Sequence, residues 1–160
     1  EFFFYLDDSS ATVEIIEGDA RLSLEQQRSA QADKYDVLAI DAFNGDAIPF
    51  HLLTEEAWQL YWSCLASDGV LAIHVSGKYL DLIPVVLHLN QRSRQGVLTL
   101  VENDDDKSWD ISTSSWIIIT DNPLILEAES FNTVALTPPV SHRLVRWTDE
   151  LSSVLPVVIW

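Results

Sequence analysis

Asp41 stands where a short apolar run stops, and a carboxylate in that place can do chemistry. Tyr35-Asp36-Val37-Leu38-Ala39-Ile40-Asp41-Ala42-Phe43-Asn44-Gly45-Asp46 reads as a strand that delivers one acid at its carboxyl end and a second, Asp46, in the loop beyond. Val37 to Ile40 form the continuous apolar pattern of a strand covered on both faces, as in a parallel sheet. Open α/β sheets bind ligands at the carboxyl ends of their strands, where a carboxylate can hold a cationic substrate or take a proton from it. The same residue would equally well cap a turn or the next helix. Asp19 follows Gly18 in a similar setting, with a helix-capping role just as good physically. Tyr79 lies in the loop after another apolar run, where it would line the same rim or simply pack.

The remaining polar residues carry weaker signals. His74 falls inside an apolar strand and reads as a satisfied core histidine; His51, in the loop after Asp46, is a second candidate for proton transfer. His88 falls on a helix face and His142 in a C-terminal loop, neither with partners at metal-ligand spacing, so no metal is expected. Residues 104–106 lack the glycine and distal glutamate of an EF-hand loop and read as a solvated charge run. No G-x-S-x-G is present for a serine hydrolase. Cys64, the single cysteine, excludes an internal disulfide and lies on the apolar stripe of a helix, which places it in the core.

The elements that must position these residues alternate. Strands are predicted near residues 13–17, 36–41, 70–75, 97–101 and 116–120, the last being the final strand of the sheet. Helices are predicted from Arg21 to Ala32, from Thr54 as N-cap through Ala57, Leu60, Tyr61, Cys64 and Leu65, and from Ile83 onward with Pro84 in the first turn. Asp68-Gly69 and Gly96 are the stops. Alternation of this kind argues for an α/β fold with a parallel, mostly doubly wound sheet. Thr137-Pro138-Pro139 marks a loop within one domain, residues 1–160.

Composition sets outer bounds. With 160 residues, 48% of them apolar, the chain is long enough to bury a core. Its 25 acidic and 9 basic residues give a net charge of −16, which disfavours nucleic acid and anionic membranes and favours cationic ligands, although acidity also serves solubility. No apolar run approaches a membrane span, and nothing reads as a signal peptide. Glu1 opens the chain and Met is absent, so a longer parent chain is expected.

Gly18-Asp19-Ala20-Arg21, the Tyr35 to Phe43 strand, His51-Leu52-Leu53-Thr54, Asp68-Gly69-Val70-Leu71 and Lys78-Tyr79-Leu80-Asp81-Leu82 follow one another in order. This series resembles the spermidine synthase family of polyamine aminopropyltransferases, and most closely its bacterial branch fused to a transporter-like membrane region. The tail from Arg146 to Leu155 is similar to that branch's C-terminal signature. The resemblance runs from about Val13 to Trp160 and is strongest from Gly18 to Leu82. It implies a Rossmann-like, S-adenosylmethionine-dependent transferase sheet, mostly parallel, truncated at its N-terminus, with the strand at Val13 displaced or unusually paired. It implies transfer of an aminopropyl group from decarboxylated S-adenosylmethionine to putrescine or a similar amine.

In that family Asp41 matches the catalytic, amine-binding acid and Asp19 the acid that contacts the adenine amino group, while Asp46 and Tyr79 would bind the amine. All three acids would face one cleft. The sequence departs from the family where its usual Asp-Ser-Ser-Asp loop carries a second acid, since Asn44 occupies that place and Asp46 lies two residues further. The Gly-rich turn, the ribose-binding acid and the Tyr-Pro-rich segment are not recognisable, so this segment alone should be inactive. A polyamine- or nucleoside-binding module without turnover, and a methyltransferase on the same fold, are the alternatives. The expected setting is cytoplasmic, or the cytosolic part of a membrane protein; a homodimer is compatible with the resemblance.

Overall fold

A computed structural model describes residues 8–41, 50–77, 79–103, 113–139 and 143–159. The expectations for residues 104–106 and for Asp46 and His142 lie outside the described residues. The helices are α1 (Ala20–Ser29), α2 (Glu55–Cys64), α3 (Ile83–Ser93), α4 (Pro123–Leu126) and α5 (Glu129–Asn132). The strands are β1 (Tyr35–Ile40), β2 (Leu65–His74), β3 (Val97–Asn103), β4 (Ser114–Thr120) and β5 (Ala135–Leu136), in one sheet of order β1-β2-β4-β3-β5.

The α/β class holds, but the sheet is mixed and mostly antiparallel. β1 and β2 are parallel, whereas β4 runs antiparallel to both β2 and β3, and β5 antiparallel to β3. β1, β2 and β3 therefore share one direction. β4 breaks the parallel pattern by inserting between β2 and β3, an order that strand spacing along the sequence does not report.

Nor is the sheet evenly covered. Leu71 pairs with Ile119 and Ile73 with Ile117 on one face, and all four are buried. They form one cluster with Leu24 of α1, with Ala57, Trp58, Leu60, Tyr61 and Cys64 of α2, and with Val85, Val86 and Leu89 of α3. On the other face Trp116 and Ile118 are only half-buried, and Val37 is 59% exposed. The doubly wound expectation fails on this uneven cover.

Other element boundaries follow local chemistry. Asp19 caps α1 by accepting the Leu22 N–H at 3.0 Å, and Thr54 caps α2 by accepting the Ala57 N–H at 3.2 Å. α2 ends at Cys64 and β2 begins at once, four residues before the Asp68-Gly69 stop. Ala66 to Gly69 bulge opposite the single Asp36, since Tyr35 pairs with Leu65 but Val37 with Val70. The chain leaves α3 through Arg94 at φ 52° and Gly96 at φ 74°. A Cβ on Gly96 would stand 2.7 Å from Ile119 Cγ2, so this glycine supplies both the left-handed turn and the close approach to β4.

Val13 to Glu17 form no strand, contrary to expectation. Val13, Ile15 and Ile16 are 44, 69 and 50% exposed, so nothing there rewards pairing. β5, after the expected last strand, was also not foreseen; its two residues are too short to leave a periodic signal.

The C-terminal segment straps the helices together. Trp147 is fully buried, packs edge-on against Phe50 at 5.2 Å, and donates its indole N–H to the Ser153 carbonyl. Its own carbonyl accepts the Glu55 N–H at the start of α2. Glu55 receives a paired contact from Arg146 at 2.9 and 3.0 Å, with His88 and Arg92 of α3 also on it. Those partners, Arg146 foremost, hold its carboxyl at about 2, against burial.

Candidate functional site

β1 and β2 end together, Ile40 pairing with Ile73, so Asp41 and His74 meet at the shared carboxyl edge. His74 Nδ1 lies 2.8 Å from Asp41 Oδ1, and Nε2 lies 2.8 Å from Ser76 Oγ. An ionised carboxylate only accepts, so Nδ1 carries the proton. The imidazole stacks on Trp116 of β4, with centroids 4.8 Å apart and planes 18° apart. Ser76 Oγ accepts the Ser115 N–H and lies 3.4 Å from the Ser115 carbonyl. Asp41 remains 54% exposed while His74 is only 20% exposed, so the site presents a solvent-facing carboxylate held from behind.

The order Asp, His, Ser matches that of hydrolase triads. Here, however, the hydroxyl is tied to the β4 backbone, and it braces the ring against the sheet.

Asp19 sits at the same edge by topology. α2 connects parallel β1 to β2, which puts its N-terminus at their carboxyl ends, and His51 just before α2 places Nε2 2.9 Å from Asp19 Oδ2. Both Asp19 oxygens are thus engaged, one by the Leu22 N–H and one by His51. The Leu22 N–H, more than the His51 contact, lowers its carboxyl pKa. Asp19 therefore performs its capping role, in a shallow recess with Arg21, Leu22, Glu25 and His51.

Beside it, Arg21 grips Asp149 of the strap with two bonds of 2.7 and 2.5 Å and donates to the His51 carbonyl. That pairing lowers the Asp149 pKa and raises the Arg21 pKa.

Asp41 and Asp19 are thus brought to one edge but into separate clusters, each with its own histidine. Tyr79 is 50% exposed in the loop after β2, its carbonyl accepting the Ile159 N–H at 2.9 Å. Cys64 is buried as expected. His74 is the site residue whose position periodicity misjudged. It is satisfied, yet it sits at the strand end, not in the core. The available signal was the shared termination of two adjacent apolar runs in Asp41 and His74.

The fold and edge define an α/β domain with an acidic, histidine-braced site at the carboxyl ends of two parallel strands. A polyamine aminopropyltransferase of Vibrio vulnificus (strain CMCP6) is 39% identical to this chain over 71 residues, which are 44% of this chain and 23% of that protein. Over that stretch the two are homologous. Solved structures similar to it include a spermidine synthase from Thermotoga maritima, with TM-score 0.48 and 19% identity over 91% of this chain and 46% of the other. A spermidine synthase in complex with the transition state analogue AdoDATO gives 0.47 and 19%, over 91% and 45%. The chain spans less than a quarter of the curated relative and under half of either solved chain. No protein-family model matches it.

Proposed function

We propose that this chain carries the amine-binding, proton-accepting part of an aminopropyltransferase site, with Asp41 as the catalytic carboxylate. The observation that carries the reading is the exposed Asp41 at the β1 end, braced by His74 at 2.8 Å. The homology to a polyamine aminopropyltransferase supports the reaction class, and the net charge of −16 suits a cationic amine.

A free alkyl ammonium has a pKa near about 10, as lysine does, and cannot attack. Asp41 would bind it by charge and take one proton as attack begins. The freed nitrogen lone pair forms the new C–N bond, the C–S bond of the sulfonium breaks, and its electron pair stays on sulfur. Putrescine is the amine and decarboxylated S-adenosylmethionine the donor in this reading, with Tyr79 and Asp46 beside the amine.

For the donor's nucleoside half, Asp19 is the expected adenine contact; it accepts the Leu22 N–H on one oxygen and meets His51 on the other, and each oxygen keeps a lone pair for the adenine amino group. A second reading is a polyamine-binding module without turnover, in which the same Asp41 binds the amine.

The experiment is transfer from decarboxylated S-adenosylmethionine to putrescine by the parent protein, as wild type and as Asp41→Asn, since the segment alone is expected to be inactive. Turnover lower in the variant by about 10²–10⁴-fold supports catalysis. Turnover equal in both forms removes it. A parent protein that binds putrescine without turnover selects the second reading.

A further inference from the structure

We propose that His74 is the positioning residue for Asp41, presenting the carboxylate's Oδ2 to the amine by holding Oδ1; this rests on the amine-site reading above. Three observations carry it. The Nδ1–H reaches Asp41 Oδ1 at 2.8 Å, so one carboxylate oxygen is committed to the protein. The ring cannot turn freely, because it stacks on Trp116 and its Nε2 is engaged by Ser76 Oγ at 2.8 Å. Ser76 is in turn fixed to β4 by the Ser115 N–H. Asp41, His74 and Ser76 thus form a line of side chains from the solvent-facing acid back into the sheet.

The proton inventory of the line is consistent. Nδ1 donates to the carboxylate, so in the neutral ring Nε2 is a bare acceptor, and the Ser76 O–H donates to it. If the ring gains a proton, Nε2–H donates to Ser76 Oγ, whose own hydrogen turns to the Ser115 carbonyl at 3.4 Å. In both states Nδ1 keeps its hydrogen and Asp41 keeps its donor. Rotamer control of this kind is what a supporting shell gives a reactive group.

The line also predicts which substitution is conservative. An asparagine amide places an N–H close to the Nδ1 position, whereas a glutamine amide reaches towards Nε2. His74→Asn should therefore preserve the hold on Asp41, and His74→Gln should lose it. A ring needed only for packing on Trp116 would make the two equivalent.

The experiment has two arms on the full chain. In the first, long-range ¹H–¹⁵N spectra read the His74 ring; a protonated Nδ1 is expected, and a bare Nδ1 overturns the proposal. In the second, calorimetry measures putrescine affinity. His74→Asn should stay near wild type, while His74→Gln should weaken binding by roughly ten-fold or more, the scale of a hydrogen bond to a charged group. Equal affinities in the two variants overturn the proposal, provided both give dispersed amide spectra.

If wild type binds no putrescine, the amine-site reading fails by itself. His74 is then judged on the Asp41 ¹³Cγ resonance. A shift in His74→Gln that is absent in His74→Asn supports the positioning role, and identical resonances in the two variants overturn it.

Discussion

Glu55 offers the sharpest test of how the C-terminal strap is held. Its side chain is 12% exposed and meets Arg146, His88 and Arg92, which hold the carboxyl at about 2 instead of 4.5. A tenfold change in proton affinity corresponds to about 1.4 kcal/mol, so the whole of this difference would give about 3 kcal/mol. Arg146 and Arg92 are 60 and 64% exposed, and solvent screening cuts the figure to about 1–2 kcal/mol.

The sign follows from the depressed value. The stabilisation is complete above the unfolded-state value of 4.5 and is lost as pH falls from there towards about 2. Glu55→Gln should therefore cost about 1–2 kcal/mol near neutral pH, and the gap to wild type should shrink to less than half by about pH 3. Urea unfolding of both proteins across that range measures it. A gap that stays constant, or widens in acid, would refute the reasoning.

Two further substitutions probe the frame around the site. Trp147→Ala removes a fully buried indole and its bond to Ser153; about 3–5 kcal/mol should be lost in urea unfolding, with faster proteolysis between residues 143 and 154, and an unchanged midpoint would show the strap to be passive. Gly96→Ala forces a side chain into φ 74° and to within 2.7 Å of Ile119; it should cost about 1–3 kcal/mol in thermal or urea unfolding, and a neutral result would contradict the tight turn.

Local signals in the sequence reported local structure well. The caps at Asp19 and Thr54, the buried Cys64, Pro84 in the first turn of α3 and four of the five expected strands all rest on chemistry within a few residues. Strand order did not come from such signals. β4 inserts between β2 and β3 because of pairing across the sheet, and an apolar run looks alike whichever way it points. Val13 to Glu17 shows the converse case, an apolar pattern that forms no strand, since propensity expresses itself only against a neighbour.

The site was half legible. Asp41 stands out as an acid ending an apolar run, but its partner lies 33 residues away, and only the β1 and β2 register brings them together. Asp19 was ambiguous by residue type alone. The Leu22 N–H bond shows that it caps α1.

The central claim is that the Asp41 carboxylate holds a cationic amine, and calorimetric titration with putrescine at low salt tests it most directly. Asp41→Asn keeps the shape and removes the charge. Wild type should bind, and the variant should bind roughly ten-fold or more weakly, with the difference shrinking as salt rises. Equal affinity in the two proteins, or no binding by wild type, would contradict the account.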